Sequence, residues 1–232
     1  MRIPDIIIAV DGYSSTGKSS LAKRIARNFS FIYLDSGALY RAVTLYAQEN
    51  GLISESSEID EDGLRRALGT LDVHFESTES GSQTYIGSRC VESEIRGLKV
   101  SSQVSPVSAV GFVREFVDGK LHEAGRGKRV VMDGRDIGTT VFPDAEIKIF
   151  LTASAEVRAR RRYDEMVSKG DTPVLEDVMK NLIERDYIDS HREVSPLRQA
   201  EDAFVLDNST MTMEEELAWV TGLIQGKFGI LE

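Results

Sequence analysis

Near the N-terminus, Gly12-Tyr13-Ser14-Ser15-Thr16-Gly17-Lys18-Ser19 has the residue types and spacing of a loop that wraps phosphate, G-x-x-x-x-G-K-[ST]. The glycines let the backbone turn tightly and aim successive N–H groups at phosphate oxygens, and a helix opening at Lys18 adds its positive end. Lys18 is expected to reach the β- and γ-phosphates of a bound triphosphate, Ser19 to ligand Mg²⁺, and Ser20 to complete the contact set. Asp133, at the end of "VVMD", has the place of the acidic residue that supports such a metal from a neighbouring strand, directly or through water. A chance glycine turn between strand and helix is the bland alternative, and the complete pattern weighs against it. A guanine-nucleotide switch would carry Asn-Lys-x-Asp after a later strand, which this chain lacks.

A bound triphosphate raises the question of what receives the phosphate. Past the second apolar run, "YLDSGALYRAV" places Asp35 and Ser36 where they would cap a helix, with Arg41 one turn further in. "VVMDGRDIGTTVFPDA" sets two carboxylates, Asp133 and Asp136, around Arg135. In "EVRARRRYDEM", Arg158, Arg161 and Arg162 have helical spacings of three and four and share one face, beside Arg160. The same holds for Arg185, Asp189 and Arg192 in "ERDYIDSHR", where a surface salt bridge is the simpler reading.

The elements that must hold these residues follow from the apolar pattern. β-rich runs at Ile6–Asp11, Phe31–Leu34, Val130–Asp133, Ile147–Leu151 and Ala203–Leu206 read as nearly continuous buried strands, as in a parallel sheet covered on both faces. Helical patterns alternate with them over Lys18–Asn28, Gly37–Asn50, Val107–Glu123, Ala155–Lys169, Pro173–Asp189 and Met213–Phe228. The alternation predicts an α/β, doubly wound sheet. Two stretches break it. Gly51–Arg96 carries a short helix near Leu64–Leu68, then "LDVHFES", a turn-like "TESGS" and "QTYIG", which predict a hairpin. Ala153–Pro196 predicts two helices joined by "SKGDTP". Beside a phosphate loop, both insertions are candidate lids.

Composition narrows the class. The 232 residues suit one domain with insertions, and 41% hydrophobic with 28% charged residues is ordinary for a globular chain. A net charge of −10 argues against nucleic-acid binding, and the short N-terminal apolar run argues against a membrane span or signal segment. One cysteine, Cys90, agrees with a reducing compartment, so a cytoplasmic chain is expected. His74, His122 and His191 stand apart in sequence, and no dedicated protein metal site is expected.

In the order "GYSSTGKS", "LDSGALYR", "SEIRG", "FVREF", "DGRDIGTTVFPDA", "KIFLTAS", "ERDYIDSHREVSPL" and "VLDNS", the sequence resembles the bacterial cytidylate kinases of the nucleoside monophosphate kinase family, over about Ile6 to Asn208. The resemblance implies transfer of a phosphoryl group from MgATP to CMP or dCMP in pyrimidine metabolism. It also implies a P-loop NTPase-type core of five parallel strands in the order 2-3-1-4-5. That core would span about 1–36, 97–152 and 197–232, with an NMP-binding insert over about 37–96 and a helical lid over about 153–196.

Carried onto this chain, the resemblance gives ATP to Gly12 through Ser20. It gives the acceptor phosphate to Arg41 and Arg135, and likens Arg158, Arg161 and Arg162 to lid arginines closing on the transferring group, Arg161 and Arg162 foremost. Cytosine is to be read by Asp136, Arg114 and Ser105, a carboxylate facing its N4 amino group, while Asp189, Arg185, Arg192 and Ser36 complete the CMP site. An already ionised phosphate acceptor needs no general base, only charge cancellation and alignment. Uracil would set O4 against the carboxylate, so UMP is expected to be a poor substrate. A monomer is expected. Two departures from the family pattern stand out: Tyr13 in the loop, and Pro106 with Gly111 interrupting the helix beside Ser105. The alternative is a P-loop kinase of a small alcohol, with Asp35 as general base.

Overall fold

Ile7–Gly12 forms strand β1, and every one of its residues is buried, which only a central strand covered on both faces allows. In the computed structural model, which describes residues 3–78 and 81–229, the elements after it are α1 (Lys18–Phe29), β2 (Ile32–Asp35), α2 (Ser36–Glu49), α3 (Glu61–Leu68), β3 (Val73–Thr78), β4 (Gly81–Ile86) and β5 (Arg89–Cys90). There follow α4 (Leu98–Ala109), α5 (Gly111–Gly125), β6 (Val130–Gly134), β7 (Ile147–Thr152), α6 (Ala155–Ser168), α7 (Leu175–His191), β8 (Phe204–Asp207) and α8 (Met213–Phe228). The main sheet has five strands in the order β2-β6-β1-β7-β8, which is 2-3-1-4-5 when its own strands alone are counted. The expected α/β architecture is present. Among the described residues no helix is long and apolar enough to cross a membrane.

The chain divides into two compact units. The first comprises residues up to Phe31 and from Lys128 onward. Its parallel ladders set Val10 against Asp133 and Gly12 against Leu151, so the carboxyl ends of β1, β6 and β7 finish level with one another. Ile8, Val10, Leu21, Ile25, Val131, Leu151 and Val220 are fully buried in its core. Burying each such side chain stabilises the fold by about 1.5–3 kcal/mol relative to exposure. The second unit, Ile32–Gly127, packs α2 to α5 with a three-stranded antiparallel sheet in the order β3-β4-β5, around Leu39, Leu64, Ile95 and Leu121.

The sequence pattern needs correction in three places. The expected helix Val107–Glu123 is two helices, broken at Val110, whose ψ of 121° is extended. The first of them, "LKVSSQVSPVSA", escaped notice because serines favour caps and turns over helix interiors and Pro106 lies inside it. Continuous burial holds for β1, β6 and β7 but fails for β2 and β8, where Ile32, Phe204 and Val205 are exposed, because both are edge strands. A π-helical turn over Ile137–Val141, invisible to periodicity, follows β6. The expected hairpin is β3 paired antiparallel with β4, while the "TESGS" turn falls on 79–80, outside the described residues.

Gly12 closes β1 with φ of +149°, and a Cβ there would lie 2.0 Å from the Leu151 carbonyl oxygen, a backbone atom. Gly12→Ala therefore has to pry β1 from β7, and we expect a loss of about 2 kcal/mol or more, read as a lowered denaturant midpoint at unchanged slope. An unshifted midpoint would show that the ladder yields at no cost.

Candidate active site

The loop between β1 and α1 takes its shape from two left-handed residues, Ser15 (φ 60°) and Gly17 (φ 93°). No side chain caps α1 at Gly17, so the first-turn N–H groups point toward the loop as an anion would need them. Inside the loop, Thr16 Oγ1 and Lys18 Nζ donate to the Tyr13 carbonyl at 3.0 and 2.6 Å. From outside, Arg158 donates to the Ser14 carbonyl, Asn208 and Arg161 donate to that of Thr16, and Asp186 accepts from the Ser14 N–H. Tyr13, the departure from the family pattern, packs edge-on against Phe150 with the Arg158 guanidinium 5.3 Å over its ring.

Lys18 is buried, and burial followed by the charge of Arg135 pushes its ammonium down to about 7. Beside it, Ser19 Oγ donates to Asp133 Oδ2 at 2.8 Å, a hydroxyl and a carboxylate brought together by the β1–β6 register. Two hard oxygen ligands fit Mg²⁺, an ion that keeps most of its shell for water and phosphate. Among the described residues no group of three or more His, Cys, Asp or Glu side chains forms a metal cage.

The strand-end motif after β6 meets the C-terminal half of α7. Arg135 donates to Asp189 Oδ2 at 2.7 Å and to Ser14 Oγ at 2.9 Å. Arg192 donates to Asp136 Oδ1 at 3.2 Å. Burial raises the Asp189 carboxyl, but Arg135 and then Arg192 and Arg185 outweigh it and hold the group below the ordinary carboxylate range. Arg185 is different: its Nε is buried with no hydrogen-bond partner among the described residues, and burial, then the neighbouring Arg135 charge, lowers its guanidinium.

Of the α6 arginines, Arg158 is not a free lid cation. It is buried and ion-paired with Asp186. Arg161 and Arg162 line a cavity of about 510 Å³ together with Ser15, Gly17, Ser20 and Asn208, Arg162 also pairing with Glu165. Arg160 is exposed and paired with Asp164.

In the second unit, Arg41 on α2 donates to Ser101 Oγ at 2.8 Å and to the Ile95 carbonyl. Arg114 on α5 is buried, donates to the Ser108 carbonyl and lies 5.1 Å over the Tyr40 ring. Ser36 is buried at the start of α2, and Ser105 lies in α4, just ahead of the helix break. Asp35, expected as a cap and alternatively as a base, makes no side-chain cap bond and is ion-paired with Arg96 at 2.8 Å.

The motif search passed over three residues. Asp186 was masked by the Arg185–Asp189 spacing. Asn208 is the fourth residue of "VLDNS", a motif to which no role was assigned. Asp11 lies one residue before the loop pattern; fully buried, its carboxylate accepts from the N–H groups of Ile137 and Gly138 at 2.9 and 2.7 Å, and burial pushes it up to about 6. It anchors the π-turn that follows Asp136.

Residues 8–225 match the family model described as cytidylate kinase. The chain is 53% identical over 217 residues to a cytidylate kinase of Bacteroides fragilis, covering 93% of this chain and 94% of the relative. It is 48% identical over 221 residues to a cytidylate kinase of Flavobacterium johnsoniae, covering 94% and 96%. Among solved structures, an uncharacterized protein from Eubacterium ventriosum shares the fold with a TM-score of 0.53 at 10% identity, covering 95% of this chain and 98% of that one. With the family model spanning nearly the whole chain and half the residues identical in close relatives, the chain belongs to the cytidylate kinase family.

Proposed function

We propose that the chain transfers the γ-phosphoryl group of MgATP to CMP or dCMP, giving ADP and CDP or dCDP. The observation that carries this reading is the crowding of Lys18, Arg135 and Arg185, with Lys18 and Arg185 each made less willing to hold charge by burial and by Arg135. Such a cluster gains most from a multiply charged anion, and phosphate oxygens suit guanidinium forks. Holding two anions in line while cancelling their repulsion is the whole task, because the CMP phosphate is already a nucleophile.

The residues divide accordingly. Gly12 through Ser20 take the ATP phosphates, with Lys18 on the β- and γ-phosphates. Ser19 and Asp133 would hold Mg²⁺, which when bound neutralises phosphate charge. Arg161 and Arg162 take the charge that develops on the transferring group. The family resemblance gives CMP Ser36, Arg41, Ser105, Arg114, Arg135, Asp136, Arg185, Asp189 and Arg192. Asp136 accepts from cytosine N4, and its ion pair with Arg192 orients that carboxylate. Residues 37–96 and 153–196 serve as insert and lid, excluding water that would otherwise take the phosphate. A small-alcohol acceptor draws no support from Asp35, whose carboxylate is paired with Arg96.

Two measurements test this reading. ADP formation with MgATP is expected to be fast with CMP or dCMP and at least about 100-fold slower with UMP, the discrimination of a site that pairs a buried carboxylate with an amino group. Asp136→Ala should remove most of that preference, and equal turnover of UMP by the unaltered chain would end the base-reading assignment. The second concerns Lys18. Below its lowered value of about 7 the free lysine is charged, and above it neutral, whereas against phosphate it must be charged. Binding of a non-hydrolysable Mg-ATP analogue at pH 8.5 should therefore take up about one proton, measured calorimetrically in two buffers of different ionisation enthalpy. Affinity should weaken as pH rises above 7, and Lys18→Arg should abolish the uptake. No uptake in the unaltered chain would mean Lys18 keeps its ordinary charge in the free protein.

A further inference from the structure

Asn208, just past β8, is buried to 1% exposure, and every hydrogen-bonding group of its side chain is engaged. Its Nδ2 donates to the Thr16 carbonyl and to Glu216 Oε1, both at 2.8 Å. Its Oδ1 accepts from Arg161 Nη1 at 3.0 Å, and its main-chain carbonyl accepts from Arg161 Nη2 at 2.9 Å. Its own N–H donates to the Thr152 carbonyl at 2.9 Å, tying it to the end of β7. Arg161 closes the ring by donating to the Thr16 carbonyl at 3.2 Å.

Chemistry allows this amide one orientation. A carbonyl and a carboxylate only accept, and a guanidinium only donates, so a reversed amide would face two acceptors with oxygen and a cation with nitrogen. Glu216, buried on α8 with its second oxygen unpartnered among the described residues, accepts from Asn208 with its first. A buried carboxylate held on one amide at the cost of leaving an oxygen unsatisfied needs a reason beyond stability. The ring supplies one, since it joins the phosphate loop, the end of β7, α8 and the α6 arginine through a single residue.

We propose that Asn208, oriented by Glu216, is a positioning residue that fixes the Arg161 guanidinium on the rim of the phosphate loop, so that its charge meets the transferring phosphoryl group. This rests on the reading of Arg161 as a cation for that group. A side chain held at two nitrogens and aimed from a fixed carbonyl loses little freedom on forming the transition state. Truncating Asn208 removes one of the three acceptors that hold Arg161 and so loosens the guanidinium without removing it.

The test is a double-mutant cycle on the full chain, with kcat, the KM for each substrate and melting curves measured for Arg161→Ala, Asn208→Ala and the double variant. Arg161→Ala should lower kcat about 100-fold, the cost of one positioned donor. Asn208→Ala should lower kcat about tenfold with the KM for CMP unchanged, and in the Arg161→Ala background it should cost under about twofold, because the two act as a unit. Glu216→Ala should follow Asn208→Ala in direction, while Glu216→Gln, which keeps an acceptor for the amide, should retain kcat; this pair carries the comparison if Asn208→Ala folds poorly. Full additivity in the double variant, or a lowered melting temperature with kcat per folded molecule intact, overturns the positioning role alone. Unchanged turnover in Arg161→Ala overturns the reading of Arg161 itself.

Discussion

Cations brought together away from water repel one another, and the first unit is organised around that repulsion. Lys18, Arg135 and Arg185 share a neighbourhood in which Lys18 is pushed down to about 7 and Arg185 below its ordinary range. The carboxylates of Asp133, Asp186 and Asp189 offset part of the repulsion, and the arginines around Asp189 hold its carboxyl below the ordinary range. None of these charges could stay if one side of the balance were removed, since an unpaired buried charge is among the costliest defects a fold can carry. The parallel sheet makes the balance feasible: β1, β6 and β7 end together, so the loops that follow them deliver residues far apart in sequence to one place.

Rigidity at this place comes from outside the phosphate loop. Arg158, Arg161, Asp186 and Asn208 bind its main chain, and the Tyr13 ring is packed between Phe150 and Arg158. A loop restrained in this way, through the Ser14 and Thr16 carbonyls and the Ser14 N–H, loses little conformational entropy when a ligand arrives. Tyr13 contributes to that restraint through its contacts with Phe150 and Arg158.

Much of this was legible in the sequence because it was written in local patterns. The phosphate-loop spacing, the apolar runs of β1, β6 and β7, and the Arg185–Asp189–Arg192 face all depend on neighbours within a few residues. What was hidden depends on tertiary contact. The π-turn exists because Asp11, some 126 residues away, takes two of its N–H groups. Asn208 is an ordinary loop residue until Thr16, Arg161 and Glu216 converge on it. The serine-rich α4 lacks helix propensity and is held by burying Val100, Val104 and Val107 in its own unit. Arg158 and Arg161 both reach the phosphate loop, at the Ser14 and Thr16 carbonyls, but spacing alone does not reveal the ion pair of Arg158 with Asp186.

The Asp11 anchor also shapes how this protein can change. The N–H groups of Ile137 and Gly138 both point inward to the Asp11 carboxylate, so these two donors just beyond Asp136 are taken up by the protein itself. On the proposed reading of Asp136, base recognition falls on a side chain set on a backbone that Asp11 fixes independently, so its preference is open to revision by single substitution while that backbone is kept.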